Sequence, residues 1–257
     1  MIEKMDDAIQ EIVRFLQTFT EIAVIGMSGG ADSTLVAILC LHALGKKNVF
    51  PIYMPDYLKR DKNDMVYNTA DYLGIKLETY SVRDIAEFVM KRTIDFQYHI
   101  GQDRMIEGNL KARLRMCILY VRANTLSLLL GKRVRVIGTG NFDELRLGYF
   151  TKHGDGGIDC LPIGQLHKTE VYQMLDYFCK SGWITKDMID RVPSAGLYEG
   201  QTDEKELGFT YKAIENMIEG TVPKSLSIAD RINKNQHKSQ IPTVVNLRHF
   251  CKKGESK

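Results

Sequence analysis

The chain has 257 residues, of which 44% are hydrophobic and 26% are charged, and its formal net charge is +3. These values are ordinary for a globular chain with one large α/β domain or two small ones. The small charge argues against nucleic acid as the main partner, and the longest apolar runs fall far short of the ~18 residues that a membrane span needs. The five cysteines are scattered, without a C-x-x-C pair or a signal peptide, so we expect reduced thiols in a cytoplasmic protein.

The predicted elements alternate along the chain. Residues 1–19 have helical periodicity with acidic residues throughout, which predicts a surface helix. Strands are predicted at 22–27, 48–54, 76–82 and 133–139, and helices near 32–44, 60–74, 84–98, 107–130 and 167–181. This pattern predicts an α/β fold, an open, twisted parallel sheet with helices on both faces. The first and fourth strands both end in glycine-containing turns, which predicts one shared site at the carboxyl ends of the strands.

The turn after the first strand reads G-M-S-G-G-A-D-S, residues 26–33. It lacks the lysine of a Walker loop and the spacing of a dinucleotide-binding fingerprint. It matches the nucleophile elbow G-x-S-x-G of serine hydrolases at residues 26–30, but such an elbow usually follows several strands, and here it closes the first one. A serine hydrolase with Ser28 as nucleophile therefore remains a minor alternative.

A phosphate-binding loop fits this turn better. Ser28, Gly29, Gly30 and Ser33 place N–H groups and hydroxyls at a helix start, where unpaired donors and the helix dipole bind anions. Asp32 alone would repel phosphate, but it fits if it holds a magnesium ion that bridges to the phosphates. An aspartate at this point is also a common N-cap, so that simpler role stays open.

The sequence changes character near residue 148. Residues 148–170 are rich in glycine and mixed in polarity, which predicts a long functional loop. A second irregular stretch spans 193–208, and the tail from residue 233 is basic.

The motif S-G-G-x-D-S after a strand resembles the pyrophosphate loop of the N-type ATP pyrophosphatases, which cleave ATP between the α- and β-phosphates. Four further segments resemble ammonia-dependent NAD synthetases, in the same order: 108–124, 138–164, 168–171 and 193–208. The resemblance implies an adenine nucleotide alpha-hydrolase-like, Rossmann-like fold. It also implies a single domain over residues 1–257 with no glutaminase domain, so that free ammonia is the nitrogen donor.

The implied reaction has two steps. The nicotinate carboxylate of deamido-NAD attacks the α-phosphate of ATP and releases pyrophosphate, and ammonia then displaces AMP to give the amide. The resemblance therefore implies ATP as co-substrate, Mg²⁺ as metal, and deamido-NAD and ammonia as small-molecule partners. Adenylylation supplies a leaving group, and the protein mainly positions reactants and stabilises phosphate charge.

The resemblance also implies roles for individual residues. The catalytic set is Asp32, Glu144 and Lys168, and the first two hold magnesium. ATP contacts Gly26, Met27, Ser28, Gly29, Gly30, Ala31, Asp32, Ser33, Thr139, Lys168 and Ser194, and deamido-NAD contacts Arg113, Lys152, Asp159, His237 and Lys238. Without the resemblance, most of these charges would be interpreted as solvated. Lys168 opens a helix and so opposes its dipole, which an anionic ligand there would explain.

This chain departs from the family pattern beside the predicted metal site. Family members often have Lys-Ser before the glutamate, where this chain has Phe142-Asp143. One cation is lost and one anion gained, so Asp143 either joins the metal shell or points to solvent. The alternatives are a related adenylylating amidotransferase that uses another carboxylate, and a nucleotide sensor without turnover.

The helix at 107–130 carries more apolar residues than a single stripe needs. Such a helix is either central in the core or at an interface. The resemblance favours a homodimer whose shared surface builds the deamido-NAD site.

Overall fold

The computed structural model describes residues 1–56, 65–93, 103–189 and 203–240. In these ranges the strands are β1 (Ile22–Gly26), β2 (Val49–Tyr53), β3 (Glu78–Thr79) and β4 (Val134–Ile137). The helices are α1 (Met5–Phe19), α2 (Ala31–Leu44), α3 (Met65–Leu73), α4 (Arg83–Thr93), α5 (Asp103–Leu130), α6 (Phe142–Leu147), α7 (Lys168–Lys180), α8 (Asp203–Leu207), α9 (Tyr211–Ile218) and α10 (Leu226–Asn235).

The four strands form one parallel sheet in the order β3-β2-β1-β4. In the register, Val24 of β1 lies between Phe50 of β2 and Val136 of β4. The strand order reverses at β1, because β2 extends the sheet to one side and β4 to the other. A crevice therefore opens at the carboxyl ends of β1 and β4, where ligands bind in folds of this type. The predicted open parallel sheet is confirmed.

Helices cover both faces of the sheet, as predicted. Ala23 and Ile25 of β1 belong to a core cluster with α1, α2, α3 and α7, whereas Ile22 and Val24 belong to a cluster with α5. Successive strand residues point to opposite faces, so a strand buried on both faces needs an unbroken apolar run. This explains why β1 is a continuous run of apolar residues rather than an alternating one.

A third, smaller cluster joins α6 to the helices that follow residue 203. It contains Leu147, Leu207, Ile214, Met217 and Ile228, all buried. The cluster holds α9 and α10 against α6, directly beside the end of β4. The sequence analysis did not predict α6, α8, α9 or α10.

Two element predictions differ from the structure. The third strand, predicted at 76–82, pairs only at Glu78–Thr79, because the chain then leaves the ladder with single backbone bonds from Tyr80 to Tyr53 and from Val82 to Pro55. The helix predicted near 107–130 begins earlier, at Asp103. Parts of the helices predicted near 60–74 and 84–98 lie outside the described residues, as does the tail from 241. Across the described ranges, no helix combines the length and apolarity that crossing a membrane requires.

Candidate active site

The loop after β1 is a compact turn at the start of α2. Gly29 has a φ of +76°, a left-handed conformation that favours glycine. The Ser28 and Ser33 hydroxyls lie 3.1 Å apart, Gly30 N–H donates to Ser28 Oγ at 3.3 Å, and Ser33 Oγ donates to the Gly30 carbonyl at 3.0 Å. The N-cap of α2 is Gly30, which has no side chain to cap the helix. The first N–H groups of α2 are therefore suited to an anion, as the phosphate interpretation predicts.

A buried asparagine joins the two carboxylates that the sequence analysis assigned to magnesium. Asn141 is fully buried, and its Nδ2 donates to Asp32 Oδ1 at 3.1 Å. Its Oδ1 accepts from Glu144 N–H at 3.0 Å, and Glu144 Oε2 accepts from Asn141 N–H at 3.2 Å, which forms a capping box at the start of α6. The structure therefore brings the ends of β1 and β4 together through one side chain.

Sequence reasoning missed Asn141. Its signal was the spacing N-x-x-E over residues 141–144, which is typical of a helix N-terminus with reciprocal capping. The spacing predicts the contact with Glu144, but it carries no information about Asp32.

Lys168 reaches this site from the start of α7. Its side chain is only 4% exposed, its Nζ donates to Asp32 Oδ2, and it lies 5.3 Å from the ring centroid of Tyr211. Burial alone would lower the pKa of Lys168, but the charges of Asp32 and Glu144 raise it well above its ordinary value. The ammonium group is therefore held in its charged form beside both carboxylates.

A magnesium ion fits this donor set. Asp32 and Glu144 offer carboxylate oxygens, the hard ligands that Mg²⁺ prefers, and both are oriented by Asn141. The buried pairing of Asp32 with an ammonium group shows that a positive charge is stabilised at this point.

The Asp143 side chain does not point to solvent. It is fully buried, its Oδ2 accepts from Lys168 N–H at 2.8 Å, and its Oδ1 lies 2.7 Å from His167 Nδ1. The alternative in which Asp143 points to solvent is therefore wrong, because its carboxylate is buried and caps α7. The alternative in which it joins the metal shell stays a prediction.

Carboxylates of the protein itself occupy the start of α7. Glu215 accepts from Thr169 N–H and from the Thr169 hydroxyl, both at 2.9 Å, while Glu170 accepts from His167 N–H at 3.0 Å. With Asp143 on Lys168 N–H, these groups offset the dipole at the helix start. The lysine at this position therefore needs no anionic ligand at the α7 terminus to explain it.

The pH dependence of stability is expected to reflect His167. Burial alone would lower its pKa, but hydrogen bonds to Asp143 and Glu219 raise it above the ordinary value of 6.5. A raised folded-state pKa contributes stability that is complete below about pH 6.5 and is lost as pH rises through the folded value. We expect the free energy of unfolding of the His167→Gln variant to fall less steeply than that of the wild type above about pH 6.5.

Urea unfolding between pH 6 and pH 8.5 measures this difference. The matched control is His153→Asn, which changes an exposed histidine whose φ of +59° asparagine tolerates. Parallel pH profiles for the wild type and His167→Gln would contradict the prediction.

Four of the five residues predicted to bind deamido-NAD come together. Lys152 Nζ donates to the His237 carbonyl at 2.7 Å, and Arg113 Nε donates to the Lys152 carbonyl at 3.4 Å. Lys238 Nζ donates to the carbonyls of Gly148 and Phe150 at 2.7 and 2.8 Å. The basic tail is thereby attached to the loop that begins at residue 148.

Asp159 has different neighbours. Its Oδ2 accepts from Val136 N–H at 2.7 Å and its Oδ1 accepts from the Tyr120 hydroxyl at 3.0 Å, so the carboxylate supports β4 and α5. Burial and Asp159 raise the pKa of Tyr120 to about 12. Thr139 lies half-buried just beyond β4, and Ser194 lies outside the described residues.

This chain is similar in sequence to known NAD synthases. A family model described as NAD synthase matches residues 1–257. The NH(3)-dependent NAD(+) synthetase of Archaeoglobus fulgidus is 36% identical, over 96% of this chain and 97% of the relative. That of Methanococcoides burtonii is 38% identical, over 90% of this chain and 89% of the relative.

Two solved structures share the fold over nearly the whole chain. The NMN synthetase of Francisella tularensis has a TM-score of 0.79 and 31% identity, over 95% of this chain and 100% of the other. The NH3-dependent NAD synthetase of Campylobacter jejuni, in complex with the nitrate ion, has a TM-score of 0.71 and 27% identity, over 95% of this chain and 100% of the other.

Proposed function

This chain belongs to the NAD synthase family, and on that premise we propose that it converts deamido-NAD to NAD with ATP and ammonia. The observation that carries the proposal is the contact of Asn141 with both Asp32 and Glu144, beside the buried Lys168. A carboxylate pair for a cation, an ammonium group and a helix start whose N-cap is a glycine meet at one crevice. These are the parts that a reaction at the phosphates of ATP requires.

In the first step, a carboxylate oxygen of the nicotinate attacks the α-phosphorus of ATP, and the bond to the oxygen that bridges to the β-phosphate breaks. The N–H groups at the start of α2 bind the departing diphosphate, and the charge of Lys168 offsets the negative charge that develops on it. Asp32 and Glu144 would hold Mg²⁺, which would supply positive charge to neutralise the phosphates. In the second step, ammonia attacks the activated carbonyl carbon, AMP leaves with its oxygen, and the nitrogen loses a proton.

The acceptor is bound on the other side of the crevice. Arg113 is exposed, and Lys152 and Lys238 are attached to the loop backbone beside it. These cations suit the phosphates of a dinucleotide. A Cβ at Gly156 would meet the Phe150 ring at 2.5 Å, so this turn of the loop requires glycine. The loop limits access of water to the acyl-adenylate.

We propose that the chain works as one domain with free ammonia as nitrogen donor. The relative from Archaeoglobus fulgidus, which bears an NH(3)-dependent name, is matched over 97% of its own length.

A second candidate function is amidation of the mononucleotide instead of the dinucleotide. The structure named NMN synthetase has the higher TM-score, 0.79 against 0.71, and the higher identity of the two compared above. The chemistry at the carboxylate would be the same, and the acceptor would lack the adenylate half. The Phe142-Asp143 departure does not favour either acceptor, because Asp143 is buried against α7.

A product assay decides between these acceptors. The protein is incubated with ATP, Mg²⁺, ammonium chloride and either deamido-NAD or nicotinate mononucleotide, and AMP, NAD and NMN are separated by chromatography. The main proposal predicts at least about tenfold higher kcat/KM for deamido-NAD, which corresponds to about 1.4 kcal/mol. The reverse preference supports the second candidate. AMP formation with neither acceptor overturns both.

We also propose that two chains associate through α5. One face of α5 exposes Cys117, Val121 and Leu128, at helical spacing, with Val121 66% and Leu128 86% exposed. An apolar helix face of this kind is typical of an interface.

The cysteines of the described ranges, Cys40, Cys117, Cys160 and Cys179, are free thiols, which supports a reducing, cytoplasmic location.

Introducing a charge on this face is expected to separate the chains. We expect Val121→Glu or Leu128→Glu to weaken association at least about 30-fold, which corresponds to about 2 kcal/mol. Light scattering after size-exclusion chromatography measures the mass at micromolar concentration. The control is Leu226→Glu on α10, a leucine that is 87% exposed on a different helix. A wild-type monomer, or variants that stay dimeric, would contradict the prediction.

A further inference from the structure

The two residues that depart from the family pattern contact the same histidine. The Phe142 ring meets the His167 imidazole edge-on, with centroids 5.1 Å apart, and Asp143 Oδ1 lies 2.7 Å from His167 Nδ1. Asp143 is fully buried, and the His167 side chain is only 15% exposed. The departure thus forms a packed unit with the residue that precedes Lys168.

This unit fixes the start of α7. Asp143 uses its second oxygen to accept from Lys168 N–H at 2.8 Å, so one carboxylate holds both the histidine ring and the lysine backbone. From the other side, Glu219 lies 3.1 Å from His167 Nε2, and Glu215 holds Thr169. The first turn of α7 is therefore attached to α6 through Asp143, to α9 through Glu215, and to the C-cap of α9 through Glu219.

Two carboxylates and one histidine beside the start of α7 have the spacing of a metal site. Ligand atoms of Asp143, His167 and Glu215 lie within 4.8 Å of one another. However, Asp143 already accepts from Lys168 N–H, and Glu215 already accepts twice from Thr169. Hydrogen bonds of the protein itself account for this cluster.

We propose that Asp143 and His167 form a positioning pair that sets Lys168 against Asp32 for the reaction at ATP; this inference rests on the proposed function. Lysine is a flexible side chain, and helix starts lack four intrahelical hydrogen bonds, so neither feature alone fixes the position of Nζ. The pair fixes it by holding the backbone from which the side chain extends. Asp143 and His167 act through Lys168 and do not touch the reactants.

A double-mutant cycle with Lys168 tests this inference. We expect Asp143→Ala to lower the rate of AMP release at saturating substrates about 10- to 100-fold, because misplacement of about 1 Å can cost that much. The KM for the acceptor is expected to change less than about twofold, since the acceptor is bound elsewhere. Asp143→Asn keeps an oxygen for Lys168 N–H, so it is expected to stay within about fivefold of the wild type.

The cycle is completed with Lys168→Arg, alone and combined with Asp143→Ala. If Asp143 acts through Lys168, Asp143→Ala costs less than about threefold in the Lys168→Arg background, because the effects of coupled residues are not additive. Additive losses overturn the inference, since they indicate a general structural role. If Asp143→Ala does not fold, His167→Ala replaces it in the same cycle with the same expectation, and additive losses again overturn the inference.

A second readout does not depend on turnover. The ¹⁵Nζ resonance of Lys168, identified by its loss in Lys168→Arg, reports the contact with Asp32. We expect its slow hydrogen exchange to be lost in Asp143→Ala and kept in Asp143→Asn. Unchanged exchange in Asp143→Ala overturns the positioning pair whether or not the protein is active. A wild type that releases no AMP, with the exchange pattern as expected, overturns only the proposed function.

Discussion

Replacing Asp32 with asparagine is expected to lower the rate of AMP release at least about 10³-fold, the range found when a charge that acts on a developing phosphate or oxyanion is removed. Asp32 lies at the centre of the site, where it accepts from Asn141 and from Lys168. Its neutralisation removes one of two carboxylates suited to Mg²⁺ and leaves the ammonium of Lys168 without its counterion. Because breaking a buried ion pair is destabilising, we also expect the free energy of unfolding to fall by about 3 kcal/mol.

The Glu144→Gln variant separates these two effects. It removes the other carboxylate but leaves the ion pair between Asp32 and Lys168 intact. We therefore expect a similar loss of AMP release with a smaller loss of stability. The control is Asp176→Asn, which breaks a surface ion pair with Lys180 on the far end of α7. AMP release that depends on magnesium and survives in Asp32→Asn would refute the proposed role of this carboxylate.

The Gly148→Ala variant is expected to lose about 3 kcal/mol of stability and to bind the acceptor more weakly. Gly148 ends α6 with a φ of +62°, and a Cβ there would lie 2.2 Å from the Asn235 Cβ of α10. The strain of a left-handed alanine and the forced movement of α10 add together. Since Lys238 donates to the Gly148 carbonyl, that movement also displaces the tail, and KM for the acceptor should rise.

Two controls isolate the collision from the strain. Gly131→Ala places the same residue at a φ of +63°, where nothing lies within 4 Å of the added Cβ, and is expected to cost only about 1 kcal/mol. Asn235→Gly removes the atom that collides, so combining it with Gly148→Ala should restore part of the loss. Chemical denaturation gives the stabilities, and steady-state kinetics gives KM. Equal losses of stability for Gly148→Ala and Gly131→Ala would contradict the prediction, because they would show that α10 moves away from the added Cβ without loss of stability.

The fold was predictable where local pattern and tertiary burial agree. The run in β1 and the helical pattern after it are each long and apolar, because both elements are buried on more than one side. The prediction failed for α6, α8, α9 and α10, and of these α6 and α8 have only six and five residues. Segments this short complete fewer than two helical turns, so periodicity cannot identify them. They form because the cluster around Leu147 and Ile214 packs them together.

In the candidate site, too, some residues could be predicted from the sequence and others depend on tertiary contacts. The resemblance led to Asp32, Glu144 and Lys168, and in the structure Asn141 contacts the first two while Lys168 contacts Asp32. It gave no guidance for Asp143, since the family pattern has a different residue there. The partner of Asp143 lies 24 residues further along the chain, and only the approach of α7 to α6 brings them into contact. A residue that departs from its family can be explained only with the residue that it touches.

The position of β4 beside β1 has a consequence for how the chain reaches its folded state. Asp32 and Asn141 are 109 residues apart in sequence, so a long segment of chain is closed into a loop when β1 and β4 pair. Contacts of such long range are slow to form, because loop closure costs entropy before the pairing stabilises anything. A nascent chain without β4 therefore has no complete nucleotide pocket. Because ATP would bind only the chain in which both strands are in place, ATP at 100 times its dissociation constant would stabilise the finished fold by about 2.7 kcal/mol.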